Sequence, residues 1–204
     1  MQDVRVRTWL RDSDVSAEVL ESLRELNHRF LDLATQPRDW GAARPWLPGA
    51  VSAQVAPLSA AQKSAAASCP YALFDLRFHD DRHWRTRLRG ADPPSIAEEL
   101  GVDAPTLEFV HLALFFAWHV AATTKLAAQL LLGMHEATIA AFRGATIDCL
   151  PALASTEAAH LTARWNDCGA YWTALARTAS RPNQANLRRI QLYGLQLAAA
   201  ARLA

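Results

Sequence analysis

The chain has 204 residues, of which 51% are hydrophobic, and a formal net charge of +1 at pH 7. This length and apolar content can fill the core of one domain, or of two small ones around a shared core, which excludes an intrinsically disordered protein. The near-neutral charge argues against a dedicated polyanion-binding protein, because a phosphate-binding surface usually makes the whole domain basic.

The cysteines and the termini indicate a cellular compartment. Cys69, Cys149 and Cys168 stand singly, which is typical of free thiols in a reducing compartment. The N-terminal stretch is charged and has no apolar segment, so it does not resemble a signal peptide. The uncharged run 109–124 is shorter than the roughly twenty residues that span a bilayer. We therefore expect a cytoplasmic protein that does not enter the membrane.

Apolar residues recur at helical spacing through most of the chain. The clearest start signal is the capping box formed by Ser59 and Gln62, and Pro70 ends the helix that follows it. An alternating apolar and charged pattern over 74–78 permits one short extended segment. The helices that we predict cover residues 17–34, 59–69, 104–132, 156–179 and 184–204, with a shorter one after Met134.

The most apolar of these helices is 104–132. Its middle, 110–122, is apolar on every side, which is typical of a helix that other helices surround. We therefore predict an all-α fold, a multi-helix bundle around a long buried central helix. The divisions that we predict are an N-terminal helical half at 1–90, a linker at 91–104 and a C-terminal helical half at 105–204, packed together as one globular unit.

The two halves show a faint internal repeat. A shift of 87 residues aligns Val55–Asp80 with Phe142–Asp167. The specific part of this match is an Arg-aromatic-x-Asp string, which occurs at Arg77–Asp80 and again at Arg164–Asp167. A duplicated helical unit would bury its apolar face against its twin. At the level of the sequence, duplication and chance similarity are equally open alternatives.

Four segments of the first half occur in an order and at a spacing that a known family shares. They are ELNHRFLDLATQ (25–36), a Leu-Pro-Gly turn (47–49), LSAAQ (58–62) and FDLRFHDD (74–81). Over about residues 20–82 the chain therefore resembles the bacterial flagellar transcriptional regulator FlhD family. The resemblance implies an all-helical fold, dimeric in that family, that activates transcription together with a partner subunit.

The chain departs from the family pattern at two positions in the last segment. Phe74 stands where the family has a cysteine, and His79 is inserted before the Asp pair. For this reason no DNA-contacting residue of the family can be assigned to a position in this chain. If the two halves are duplicated, one chain could take the place of the family's dimer.

Few residues of the sequence suggest chemistry. His79 and His83 have the spacing of metal ligands on a helix, but a solvated helix start explains them more simply. His111 and His119 fit hydrogen-bonded core residues better than haem or metal ligands. The sequence contains no nucleophile elbow and no glycine-rich phosphate loop. We therefore predict no catalytic residue, no metal and no cofactor, and a protein that is not an enzyme.

Arginines are the remaining candidates for binding. They cluster in 77–89, and after Asp167 the chain has arginines but no acidic residue. The candidate contact residues for nucleic acid or a partner are Arg82, Arg85, Arg87, Arg89, Arg188 and Arg189, although solvated faces are the simpler explanation. We predict an FlhD-like regulatory protein that acts through a protein partner, with DNA as a second ligand and a homodimer as one assembly. The alternative is a protein–protein adaptor or small-molecule sensing bundle that does not contact nucleic acid.

Overall fold

A computed structural model of the chain describes residues 15–36, 46–89, 102–181 and 183–200. These residues form ten α-helices and two very short strands, so the predicted all-α multi-helix bundle is confirmed. The helices are α1 (Ala17–Thr35), α2 (Gly49–Val55), α3 (Ala60–Ala67), α4 (Asp81–Arg87), α5 (Ala104–Thr123), α6 (Lys125–Leu132), α7 (Glu136–Gly144), α8 (Leu150–Glu157), α9 (Gly169–Ser180) and α10 (Gln184–Ala200). The strands β1 (Phe74–Asp75) and β2 (Thr162–Ala163) pair antiparallel, with Phe74 opposite Ala163 and Asp75 opposite Thr162.

Side-chain caps fix the starts of three helices. The Ser16 hydroxyl accepts a hydrogen bond of 3.2 Å from the Val19 N–H at the start of α1. Ser59 and Gln62 make both hydrogen bonds of the predicted capping box at the start of α3. Asp103 caps α5 in the same way. Each cap satisfies a backbone N–H that has no partner within its helix. The starts predicted for these helices are confirmed.

The predicted central helix is shorter than expected. α5 ends at Thr123, and the extended backbone of Thr124 (φ −142°, ψ 108°) separates it from α6. Two adjacent β-branched threonines have low helix propensity, which favours a break at this point. α5 contacts α1, α6, α7 and α8, yet Leu112 and Phe115 on its outer side are 38% and 42% exposed. Of the described helices, α5 alone is long and apolar enough to span a membrane, and half of that stretch is buried in the bundle.

The predicted helix over 156–179 is wrong. α8 ends at Glu157, and the chain then passes through β2 and a turn before α9 begins. In that turn Trp165 has a φ of 52°, a left-handed conformation that a continuous right-handed helix does not contain. β2 pairs with a strand that lies far away in the sequence, so the local helical pattern carried no sign of it.

Elements of the two halves follow one another in the same order. α1, α2, α3, β1 and α4 are matched in order by α5, α7, α8, β2 and α9, while α6 and α10 have no counterpart among the described residues of the first half. The capping residues Ser16 and Asp103 are 87 positions apart, and Asp80 and Cys168, which precede α4 and α9, are 88 apart. This difference places a one-residue insertion in the second half between the starts of α5 and α9.

The halves exchange helices across their boundary. Within the halves, α1 packs on α3 and α5 packs on α8. Across the boundary, α4 of the first half packs on α7, and α9 of the second half packs on α2 and α3. α1 packs on α5, and β1 pairs with β2, so these elements each meet their own counterpart. One hydrophobic core therefore contains residues from both halves, from Leu23 to Ile190.

Candidate functional site

Two charged side chains are buried in the described part of the chain, those of Glu157 and Arg164. Glu157, the last residue of α8, has no exposed surface, and Arg164 is 8% exposed. Burial of an ionised group costs free energy unless nearby charges or hydrogen bonds compensate it. Each of the two buried charges therefore needs compensation from its surroundings. The fold alone explains the position of Arg164 but not that of Glu157.

The side chain of Arg164 connects the turn after β2 to the C-terminal end of α6. Its Nη1 donates a hydrogen bond of 2.9 Å to the carbonyl oxygen of Leu131, in the last turn of α6. Its guanidinium lies against Gly133, whose φ of 73° ends that helix, and 4.7 Å from the ring centroid of Trp165. Burial lowers the pKa of Arg164 below its ordinary value. A cation at a helix C-terminus is favoured by the helix dipole, so this position is explained by the fold.

Glu157 lies in a cluster of side chains from both halves. The Nε2 atom of His83 is 2.7 Å from Oε2 of Glu157, and Nε of Arg87 is 3.1 Å from Oε1. Oε1 is ion-paired with Arg87 but makes no well-aligned hydrogen bond. The ring of His160 stands edge-on to that of His83, with 5.5 Å between centroids. Glu157, His83, Arg87 and His160 are referred to below as the charged cluster.

The pKa of His160 is sensitive to this surrounding. Burial lowers the pKa below its ordinary value of 6.5. The nearby charge of Glu157 acts in the opposite direction, while Arg77, His83 and Arg87 lower the pKa further. Burial and these three neighbours together outweigh the effect of Glu157, because an additional positive charge on His160 is costly where water is partly excluded.

The corresponding corner of the other half holds uncharged side chains. His83 is the third residue of α4, and Tyr171 is the third residue of α9. His83 reaches the end of α8, whereas the Tyr171 hydroxyl lies 3.9 Å from Sγ of Cys69, just after α3, and donates to the Tyr71 hydroxyl at 3.2 Å. Burial raises the pKa of Cys69 to about 11, and it also raises the pKa of Tyr171. At this corner the position that corresponds to His83 therefore holds an uncharged side chain, and the nearby buried charge is that of Arg164.

A shallow depression opens beside the charged cluster. Its lining consists of Arg77, Asp80, Arg82, His83, Thr86 and Arg87. A neighbouring depression on the same helix is lined by Arg82, Arg85, Thr86 and Arg89. Arg77 forms an ion pair with Asp80. Arg82, Arg85 and Arg89 are exposed, and no carboxylate of the described residues pairs with them.

The six arginines predicted from the sequence lie in two separate regions. Arg82 and Arg85 are on the outer side of α4, and Arg89 is exposed in the turn after it, whereas the side chain of Arg87 turns inward to Glu157 and is 23% exposed. Arg188 and Arg189 are exposed on α10, which packs on α9, whereas α4 packs on α7. The structure therefore brings four of the six together and places the other pair elsewhere.

Sequence reasoning missed Glu157 and His160. They lie at least seventy positions after the end of α4 and belong to no motif. The one signal was an isolated acidic residue within the otherwise apolar and small stretch 150–159. A buried carboxylate of this kind needs a cationic partner, but its identity depends on the packing of the two halves.

The other histidines do not form a metal site. His79 is exposed and lies 3.7 Å from Asp75, away from the Glu157 contact of His83. The prediction that His119 is a core residue is wrong, because it is exposed on α5, and His111 is only half-buried. Among the described residues no group of three or more side chains could hold a metal ion.

A second depression lies between α1 and α5. Its lining consists of Ser22, Glu25, Leu26, Arg29, Leu112, Phe115, Phe116 and His119. The wall from α5 is mainly apolar, and the wall from α1 carries the charges. This groove is a surface on which a partner or an apolar ligand could pack.

The α4 region combines several guanidinium groups with two imidazoles, the side chains that proteins use to bind oxyanions. The α1–α5 groove offers apolar area instead. No family model matches the chain, and neither a curated protein nor a solved structure matches it.

Proposed function

We propose that the protein is a non-enzymatic regulatory protein, similar to the FlhD family, that binds the phosphates of nucleic acid through α4. The observation that carries this proposal is the placement of Arg82 and Arg85 on one exposed face of α4, with the exposed Arg89 in the turn that follows the helix. If the rise of about 1.5 Å per residue is continued through that turn, positions 82–89 extend over about 10 Å. The same length of duplex DNA carries about six phosphate charges.

The proposal includes an internal duplication, so that one chain takes the place of a regulator dimer. Three observations support it. The halves share their order of elements, and α4 and α9 pack reciprocally on the opposite half. Among the described non-glycine residues, positive φ occurs only at Arg77 (58°) and Trp165 (52°), in the turns that follow β1 and β2.

The two halves differ at the positions of the arginine face. Residues 88 positions after Arg82, Arg85 and Arg89 are Ala170, Thr173 and Arg177. Only the first half therefore has three arginines on this face. A difference between otherwise corresponding helices is expected where one of them has acquired a binding role.

Salt-dependent binding of labelled promoter fragments and a random 20-bp duplex tests the DNA contact. We expect affinity to fall linearly with the logarithm of salt concentration. The variant Arg82→Gln/Arg85→Gln/Arg89→Gln should reduce that slope by about 3 units, one for each lost phosphate contact. Arg188→Gln/Arg189→Gln removes charge from α10 and serves as the control. Failure of every fragment to bind at low salt would remove the DNA part of the proposal.

The α1–α5 groove supports a second candidate function, that of a protein–protein adaptor without nucleic-acid contact. Leu112 and Phe115 are 38% and 42% exposed beside Glu25 and Arg29. Phe115→Glu should abolish recovery of a protein partner in affinity purification while the fold, monitored by circular dichroism, stays intact. Glu108→Gln, on the same helix but outside the lining of this groove, is the control. Loss of partner recovery with unchanged DNA binding would favour the adaptor.

A further inference from the structure

We propose that the depression between α4 and the preceding turn binds a doubly charged oxyanion, namely phosphate or a phosphate monoester. We infer further that binding is coupled to protonation of His160 in the charged cluster. This site is separate from the proposed DNA contact on the outer face of α4, and only Arg82 and Thr86 border both depressions.

Three guanidinium groups can donate into this depression. Arg87 uses Nε for Glu157, which leaves its terminal amino groups without a described partner. Arg77 uses Nη2 for Asp80, and Arg82 has no ion pair among the described residues. The side chains of Arg77 and Arg87 are 42% and 23% exposed, so a ligand from solvent can reach them. Planar guanidinium groups match the oxygen geometry of phosphate and bind it bidentately.

The charge of the site depends on His160. Three arginines (Arg77, Arg82, Arg87) face two carboxylates (Asp80, Glu157), which gives a net charge of +1 when His160 is neutral. Protonation of His160 raises this to +2. From the side of α7, His135 and Thr138 contact Asp81 rather than the depression, so they add no charge to the site. An anion should therefore bind more tightly as His160 takes up a proton.

The opposite corner of the molecule shows that the fold does not require the charges of His83 and Arg87. At a spacing of 88 residues these two correspond to Tyr171 and Leu175. Both positions are cationic or titratable on one side and uncharged on the other, while Arg77 has its counterpart in Arg164, which is buried against Gly133 and Trp165. A buried ion cluster is often less stable than an apolar replacement, so its presence at one corner only is best explained by a ligand.

Calorimetric titration of the full chain with sodium sulfate tests the proposal directly. Sulfate stays doubly charged between pH 5.5 and pH 8, so any pH dependence reports protons on the protein. We expect binding about tenfold tighter at pH 5.5 than at pH 8, as follows when a bound anion raises the pKa of one histidine by about one unit. Titration in two buffers of different ionisation enthalpy should show proton uptake. An effect no larger than that of sodium chloride at equal ionic strength would overturn the proposal.

Variants separate this site from the outer face of α4. Arg77→Gln should weaken sulfate binding about tenfold, the loss expected for one charged hydrogen-bond donor. His160→Gln should reduce proton uptake. Arg85→Gln/Arg89→Gln removes two charges that do not line the depression and should leave sulfate affinity within about twofold. Equal losses in Arg77→Gln and in this control would show a diffuse charge effect and contradict the proposal.

Competition identifies the source of the anion. Displacement of sulfate by glycerol phosphate indicates a monoester site, and displacement by inorganic phosphate alone indicates a site for the free ion; failure of both excludes phosphate chemistry. The wild type and Arg77→Gln are also titrated with a blunt DNA duplex that has no terminal phosphates. If Arg77→Gln loses sulfate binding but keeps its duplex affinity, the two proposals are independent. If the wild-type chain does not bind the duplex at all, the sulfate result still stands.

Discussion

Trp84 and Trp172 hold equivalent positions in the two halves and make equivalent hydrogen bonds. Each is the fourth residue of its helix, α4 or α9, and each ring is fully buried. Nε1 of Trp84 donates to the carbonyl oxygen of Arg77 at 3.0 Å, and Nε1 of Trp172 donates to that of Arg164 at 2.9 Å. Each indole thereby ties its helix to the turn before it, at the place where the chain crosses to the opposite half.

Replacement of either indole donor should destabilise the protein by a similar amount. Trp84→Phe and Trp172→Phe remove one buried N–H and leave a carbonyl oxygen unpaired, at a cost of about 1–3 kcal/mol each in addition to the lost ring volume. Urea unfolding measures both. Trp118→Phe is the control, because the Trp118 indole also donates to a carbonyl (Ala145) but is half-buried, so water can take its place. A much larger effect in one of the two buried variants would argue against equivalent roles.

The charged cluster should lower stability compared with an uncharged corner. Glu157→Ala alone leaves His83 and Arg87 without their buried partner and should lower the free energy of unfolding by about 3 kcal/mol. His83→Tyr/Arg87→Leu/Glu157→Met introduces the uncharged residue types of the α9 corner, with Met in place of Glu for its similar length. This variant should be at least as stable as the wild type.

Denaturant unfolding and sulfate titration of these two variants separate structure from function. The uncharged triple variant should fold but bind no sulfate. A triple variant less stable than Glu157→Ala would show that the cluster is required for folding, and would remove the argument that its charges serve a ligand.

Local signals in the sequence were sufficient for the helix starts. The capping box at Ser59 depends on residues three positions apart, and the caps at Ser16 and Asp103 are equally local. The break at Thr124 and the strand β2 depend on packing between distant segments, so helical periodicity alone continued through both. Most of the predicted linker, residues 91–101, lies outside the described residues.

The direction of the arginines was partly predictable. Arg87 is three residues after Trp84, so both lie on the same side of α4, and a buried tryptophan turns that side inward. Arg82 and Arg85 share the opposite side, and Arg89 follows the end of the helix. The partner of Arg87 was not predictable, because Glu157 comes from the other half and reaches α4 only through the exchange of helices.

Stability should fall at acidic pH through His160. Burial lowers the pKa of His160 below 6.5 in the folded chain, so the unfolded chain binds the proton more tightly. The resulting stability is present above about pH 6.5 and is lost as the pH falls from there through the lowered pKa of the folded state. His160→Asn should flatten this part of the profile of unfolding free energy against pH. His79→Asn, which replaces a histidine with a 66% exposed side chain, controls for the loss of an imidazole. An unchanged profile in His160→Asn would contradict the assignment.

Gly194 sets the distance between α10 and the bundle. A Cβ at this position would lie 2.0 Å from Oη and 2.2 Å from Cζ of Tyr71, whose buried hydroxyl donates to Ile190 at 3.2 Å and accepts from Tyr171. Because that ring cannot move without breaking both hydrogen bonds, Gly194→Ala should cost about 1–3 kcal/mol, measured by urea unfolding, and should expose α10 to limited proteolysis. Gly144→Ala, where a Cβ meets no atom within 4 Å, should leave both measurements unchanged. If Gly194→Ala were as resistant to proteolysis as the wild type, α10 would be able to dock at a greater distance from the bundle, and the prediction would be wrong.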